Sequence, residues 1–386
     1  MPLLDSIHLT LLIGPGLPLP APPSLVETLQ SVEVVQRDSG VNGFQLCFAL
    51  SRGGLTDVLD YNMLLGPLLT PFNRLVLIVT LGAIPFVLMD GIVTHRQHAP
   101  NVEPGEALVT LTGEDVSVMM DLQEKRALFP CLPDIGIVAA ILAGYGQYQL
   151  LPVLIPPLSS VPPLPIERVP TQQGTDLQML RELAERNGYV FYIEPGPLVA
   201  PLVWVNTVYF GPPKRLDLPQ SALAISLGKD SNVSKLSFEY DALAPATVAD
   251  TVQDSLTGAR LPVDTFVSTR LPPLVLDPAL TPLHTTRTML AKGSGGLDIM
   301  AAYARAQADT DRSVDAVVTA RGELDVMRYG GALRARSLVG MRGAGFTHDG
   351  LYYVQQVTHR ISGSSYTQSF VLNREGEDSI TPVVTP

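Results

Sequence analysis

Cysteine is nearly missing from this chain. Its 386 residues hold two, Cys47 and Cys131, far apart and without clustered partners. That excludes a disulfide framework and a cysteine-based metal site, and both are read as buried free thiols in a reducing compartment. Tryptophan occurs once, as Trp204, inside a predicted strand, where it is expected to be core. Charge is sparse: 16% of residues, with 37 acids against 26 bases and a net charge of -11. The chain therefore lacks the basic footprint that phosphate binding needs, which excludes nucleic acid as the main partner. A long apolar helix is also lacking. The best candidate, Leu75 to Val93, is interrupted by Gly82, Pro85 and Asp90 and is rich in β-branched residues. It reads as two strands around a Gly82-Ala83-Ile84 turn, not as a membrane span. The first residues carry Asp5 and His8 and no basic stretch, so no secretory leader is expected.

Chemical motifs are missing too. No Gly-x-Ser-x-Gly elbow occurs, and Gly14-Pro15-Gly16 has no third glycine. Gly293-Ser294-Gly295-Gly296 precedes a helix but lacks a Lys-Ser/Thr ending, so it reads as a linker. His95-Arg96-Gln97-His98 ends a predicted strand, which sends the two histidines to opposite faces, and no Cys/His pair at ligand spacing follows. Asp309, Asp311 and Asp315 resemble a calcium loop, but Val314 stands at the sixth position and Ala320 at the twelfth. They are read as a solvated helix end. No catalytic, cofactor-binding or metal-binding residue is assigned, no cofactor is expected, and the chain is read as a non-enzyme.

What is present is β structure. The 34 prolines and 32 glycines punctuate apolar segments, and 46% of residues are hydrophobic, which suits a surface covered in an assembly. Leu25–Arg37 and Val41–Leu50 bracket Asp38-Ser39-Gly40 as a hairpin; Leu75–Leu81 and Phe86–Gln97 form a second; Ala107–Thr112 is a further strand. Asp115–Lys125 opens on acids and closes on Lys125-Arg126, predicting a helix, and Asp134–Ala143 predicts another. The proline-rich stretch Pro152–Pro165 is an extended connector. Thr175 is a predicted N-cap for a helix that places Leu177, Leu180, Leu183 and Ala184 on one face and ends at Gly188. Tyr189–Glu194 and Leu202–Phe210 are strands, Ala224–Leu227 and Ser234–Tyr240 flank a turn, and Gly296–Ala308 is helical. The fold class is mainly β with some α (α+β). Residues 1–113 form a first β unit, 114–215 an inserted helix-strand region with the proline-rich connector, and 216–386 a second β unit with one helix.

The end of the chain is the most patterned. Leu351 to Ile361 alternates, Ser362-Gly363-Ser364-Ser365 turns, and Tyr366 to Leu372 returns. Tyr353, Gln355, Val357, His359 and Ile361 are expected on the packed face, joined by Tyr366, Gln368, Phe370 and Leu372.

Four segments in order, Thr175 to Tyr192, Val208 to Pro212, Ser231 to Phe238 and Gly322 to Gly376, resemble the tail-hub proteins of contractile injection machines. That family includes the late control protein D of contractile-tailed phages and the hub part of type VI secretion spike proteins. The resemblance implies two tube-type antiparallel β-barrel domains per chain. It also implies a homotrimer whose six barrels match a sixfold inner tube protein on one face and a threefold spike on the other. Because the sequence stops at Pro386, soon after Arg374-Glu375-Gly376, the spike is expected to be a separate polypeptide. Other baseplate proteins are implied as neighbours, with assembly in the bacterial cytoplasm into a phage-tail-like particle. From the residues alone, two alternatives stay open: a carbohydrate- or ligand-binding β module of an extracellular particle, and a cell-wall hydrolase.

Overall fold

The computed structural model describes residues 7–50, 66–100, 107–157, 162, 169–200, 202–253, 258–281, 284–291, 299–363 and 365–380. The Gly293–Gly296 linker, Ser364 of the last turn, Asp5, and most of the connector's second half lie outside them. Strand accounts for 50% of the chain and helix for 18%, so the mainly-β class holds.

The first strands are β1 (Ile7–Gly14), β2 (Leu19–Pro20), β3 (Leu29–Arg37), β4 (Gly43–Leu50), β5 (Arg74–Leu81), β6 (Ile84–Ala99) and β7 (Ala107–Asp115). The middle holds β8 (Lys125–Leu128), β9 (Leu150–Leu154), β10 (Thr171–Gly174), β11 (Val190–Ala200) and β12 (Val203–Gly211), with helices Asp134–Ala143 and Asp176–Arg186. Then come β13 (Gln220–Ala224), β14 (Val233–Tyr240), β15 (Ala246–Gln253), β16 (Arg260–Asp264), β17 (Val275–Pro278), β18 (Arg287–Met289) and helix Ile299–Val314. The chain closes with β19 (Val318–Asp325), β20 (Leu338–Arg342), β21 (Gly350–Ser362), β22 (Ser365–Arg374) and β23 (Gly376–Ser379).

Thirteen strands share one sheet, in the order β14-β19-β22-β21-β3-β4-β7-β6-β5-β1-β2, with β20 on β21 and β13 on β20. The pairings trace an open path, and no closed ring of strands forms among the described residues. The early and late strands meet where β21 pairs antiparallel with β3, from Gln356↔Arg37 to Ser362↔Ser31. Their side chains enter one core: Val34, Leu46 and Leu111 from the early strands join Val357, Phe370 and Leu372 from the late ones.

One device recurs in the sheet. Phe44 on β4 lies opposite Gly113 on β7, and Phe370 on β22 opposite Gly322 on β19. A Cβ at Gly113 would meet the Phe44 ring at 2.2 Å, and one at Gly322 the Phe370 ring at 2.4 Å. Each phenylalanine thus covers a cross-strand glycine whose missing side chain makes room for it.

The two strands expected around Gly82 are β5 and β6, and Gly82 takes φ +60 in the turn. The apolar run that resembled a membrane segment is explained by burial on both faces. Leu75, Leu77 and Val79 face the main core, while Val76 and Ile78 face a second cluster containing Trp204. No helix among the described residues is long and apolar enough to cross a membrane.

Helix Asp176–Arg186 matches its sequence signals. Thr175 Oγ1 accepts from the Gln178 amide, and the Gln178 side chain accepts from the Thr175 amide, forming a capping box. Gly188 follows at φ +66. Leu177, Leu180 and Leu183 pack with Ile137, Phe191 and Phe210 in a core of their own. The helix expected over Asp115–Lys125 is corrected to a single 3-10 turn, Val116–Met120, capped by Asp115. Beyond it, Lys125–Leu128 is drawn into pairing with Thr171–Gly174, and tertiary pairing overrides the charge signal. The start of the connector is more than a spacer, since Pro152 to Leu154 belong to β9, which pairs parallel with β12.

The last hairpin departs from strict alternation. Its register shifts between Val354 and Gln356, so Gln355 is an extra residue and the faces exchange there. Tyr352 and Val354 lie in the core before the bulge, Val357 and Ile361 after it. Tyr353 instead packs with Leu274 and Leu338. On β22, Tyr366, Gln368, Phe370 and Leu372 are buried as expected. The cysteines are corrected as well: Cys47 is only half-buried and Cys131 is exposed.

Candidate functional site

Three buried polar clusters tie the inserted elements to the sheet. The first centres on Asp90 of β6, which is 2% exposed. Arg74 of β5 donates to it through Nε at 2.8 Å and a terminal nitrogen at 2.6 Å. From β12, Trp204 Nε1 and Asn206 Nδ2 reach the same Oδ2 at 2.7 and 2.8 Å. A bidentate guanidinium plus two neutral donors satisfies a carboxylate whose burial alone would be costly.

The second cluster lies where β3, β21 and β11 converge. Arg336 donates to the Arg37 carbonyl and to Asn42 Oδ1, both at 2.8 Å, and its guanidinium sits 4.2 Å from the Tyr192 ring centroid. Asn42 donates in turn to Asp115, whose other oxygen accepts from the Ser117 amide. Asp38 is buried alongside, with its amide donating to the Gln355 carbonyl at the bulge. Burial raises its pKa to about 6; the Ser39 hydrogen bond and the Arg336 charge offset this only in part, and Asp315 adds to it. Burial also pushes the Tyr192 and Tyr353 hydroxyls above the usual range.

The third cluster corrects the reading of the helix-end acids. Asp311 accepts from Ser268 Oγ at 2.9 Å, the Thr269 amide at 2.6 Å and Gln307 Nε2 at 3.0 Å, and is buried. Asp315 takes Arg270 at 2.7 Å and Arg215 at 3.3 Å, and Arg215 also donates to Glu375 at 2.8 Å. Asp309 pairs with Arg312, which reaches Glu185 on the inserted helix at 3.1 Å. The acids are structural anchors, not a solvated end. For Arg270, burial pulls the pKa down, but the charges of Asp315 and Asp311 outweigh it and hold the group protonated.

His95, Arg96, Gln97 and His98 lie on the exposed end of β6, outside these clusters. Among the described residues, no three His, Cys, Asp or Glu side chains are grouped to hold a metal ion. A hydroxyl-imidazole contact joins Tyr366 to His359 Nδ1 at 2.7 Å. Gln368 Nε2 also approaches Nδ1 at 3.1 Å, while its Oε1 accepts from the Leu333 amide, so Nδ1 is an acceptor and the proton sits on Nε2. Both side chains are buried in the core, and burial lowers the His359 pKa to about 3. Burial keeps the imidazole neutral.

A cleft of about 640 Å³ opens between the inserted elements and helix Ile299–Val314. Tyr189 and Tyr209 line one side, Ala304 and Ala308 the other, and Lys214, Arg215 and Arg270 stand along it. At its base, Gly188 approaches the helix so closely that a Cβ there would meet Ala308 Cα at 3.0 Å.

The fold of this chain is similar to that of phage tail proteins and of a type VI secretion component. The tail protein from Neisseria meningitidis MC58 has a TM-score of 0.65 at 12% identity, covering 95% of this chain and 97% of that one. The 43 kDa tail protein of prophage MuSo2 from Shewanella oneidensis gives 0.61 at 10% identity, covering 95% and 98%. A component of the type VI secretion system of E. coli gives 0.55 at 12% identity, covering 93% and 78%. These likenesses bear out the resemblance read from the sequence. No family model matches the chain, and no curated protein does.

Proposed function

We propose that this chain is a structural hub of a phage-tail-like baseplate. Three copies form a ring in which residues 1–113 and 216–386 of each supply one tube-type β-barrel unit apiece, with 114–215 inserted between them. Six such units match the sixfold inner tube protein, while the threefold face receives the spike and other baseplate proteins contact the rim. The chain is built in the bacterial cytoplasm, enters the particle, and does no chemistry. The observation that carries this reading is the β3–β21 ladder, which joins early and late strands side by side in one sheet over one core. A single chain thereby offers two adjacent wall segments. Light scattering on the purified chain, alone and with its spike protein, tests the proposal. A mass of three chains in either condition is expected. A stable dimer unchanged by spike would overturn it.

A further inference from the structure

The cleft beside Tyr209 has a chemistry that the hub role does not use. The Tyr189 and Tyr209 hydroxyls are spent on the carbonyls of Pro156 at 2.9 Å and Pro212 at 2.7 Å, so the rings serve as apolar surface. Lys214 is half-buried with Nζ 4.8 Å from the Tyr209 ring centroid, and makes no ion pair among the described residues. Arg215 and Arg270 are 4% and 9% exposed; their terminal nitrogens go to Glu375 and Asp315, yet each keeps a buried Nε without an acceptor. Of the carboxylates on the wall, Asp311 is saturated by its four donors and Asp217 is exposed to solvent. An anionic group entering the cleft meets the Lys214 ammonium, while its apolar neighbours meet tyrosine and alanine.

The apolar surface runs from the cleft wall, where Leu216 and Leu271 stand, to residues near them in sequence. Leu216 and Leu218 are 86% and 91% exposed, and Leu271, Phe266 and Val267 are exposed as well. A small molecule is enclosed by its pocket, whereas a cleft that runs out onto exposed leucines suits a length of chain. Aromatic-walled grooves of this kind receive extended peptides.

We propose that this cleft docks an extended apolar segment of a partner protein, anchored by one carboxylate on Lys214. The inference stands on the cleft and does not depend on the ring, so the mass measurement above and the following test fail separately.

Peptides are selected from a random twelve-residue library against the intact chain, and their affinities are measured by fluorescence anisotropy. The expected binders carry Asp or Glu within an apolar run. They weaken at least tenfold on Lys214→Glu and on Leu271→Asp, and hold on Lys235→Glu, a distant exposed control. Replacing the peptide's acid by lysine should restore binding to Lys214→Glu, which a misfolded variant cannot do. Three outcomes overturn the proposal: no peptide enriched, enriched peptides without a carboxylate, or binding indifferent to Lys214→Glu. Anilinonaphthalene sulfonate, an apolar anion, is titrated in parallel. If it binds with the same sensitivity and no peptide does, the cleft is a small-ligand site and the chain-segment assignment falls.

Discussion

Arg336 donates a hydrogen bond of 2.8 Å to the side chain of Asn42, across a separation of 294 positions in the chain. The same guanidinium binds the carbonyl that ends β3 and stacks on a tyrosine of the insert. One side chain thus holds the early strands, the late strands and the inserted elements in a fixed relation. Such a charge is retained because every partner is in place, and removing a partner leaves it stranded. The first prediction applies this logic to the neighbouring cluster.

Asp90→Ala strands Arg74, removes the acceptor of Trp204 and leaves Asn206 only the Tyr148 carbonyl. The expected loss is about 3–5 kcal/mol, as for other broken buried pairs. Chemical denaturation checks it, and Trp204 fluorescence should shift with the loss of its hydrogen bond. An unchanged midpoint would mean that the cluster is solvated.

Phe370→Asp places an unpaired charge in the main core against Gly322 and should abolish folding. Ser369→Asp, one position along and half-buried, should cost under about 1 kcal/mol. Expression and thermal unfolding of both variants decide it. Equal behaviour would show that the face of β22 is misassigned.

His359 is neutral when folded, with its pKa lowered to about 3 by burial. The unfolded chain takes up a proton near pH 6.5, so this group's contribution is intact above that pH. It is lost as pH falls towards 3, at about 1.4 kcal/mol per unit. Against His359→Gln, the wild type should therefore lose relative stability between pH 7 and pH 4.5 in urea titrations. A gap that stays constant with pH contradicts the buried neutral imidazole.

Asp38 carries the opposite sign. Its folded pKa is raised to about 6, so its contribution is present at low pH and is lost as pH rises through that value. Asp38→Asn should be more stable than wild type at pH 8 by about 1–3 kcal/mol, and the gain should vanish near pH 4. A gain that is equal at both pH values would assign the effect to shape instead of charge.

Much of the fold was legible because its signals are local. Thr175 with Gln178, the leucine spacing after them and Gly188 define a helix within a few residues. The β5–β6 hairpin declares itself through Gly82. The bulge at Gln355 left no trace, since an inserted residue has no characteristic composition and is felt only through the partner strand. The helix-end acids were misread for a related reason. Asp311 and Asp315 meet Thr269, Arg270 and Arg215 only after folding, and spacing along the chain says nothing about those encounters. Lys214 and its cleft were likewise invisible, because the tyrosines, the lysine and the alanine face of the helix come from three separate elements.

The β3–β21 ladder has a mechanical consequence. Its seven paired positions run parallel to the strands they join, from Gln356↔Arg37 to Ser362↔Ser31. A load that slides the early strands past the late ones must rupture all seven together. A load that peels them apart breaks them one by one. The joint is therefore strong along the strand axis and weak across it, so the direction of a load relative to β3 decides whether it holds.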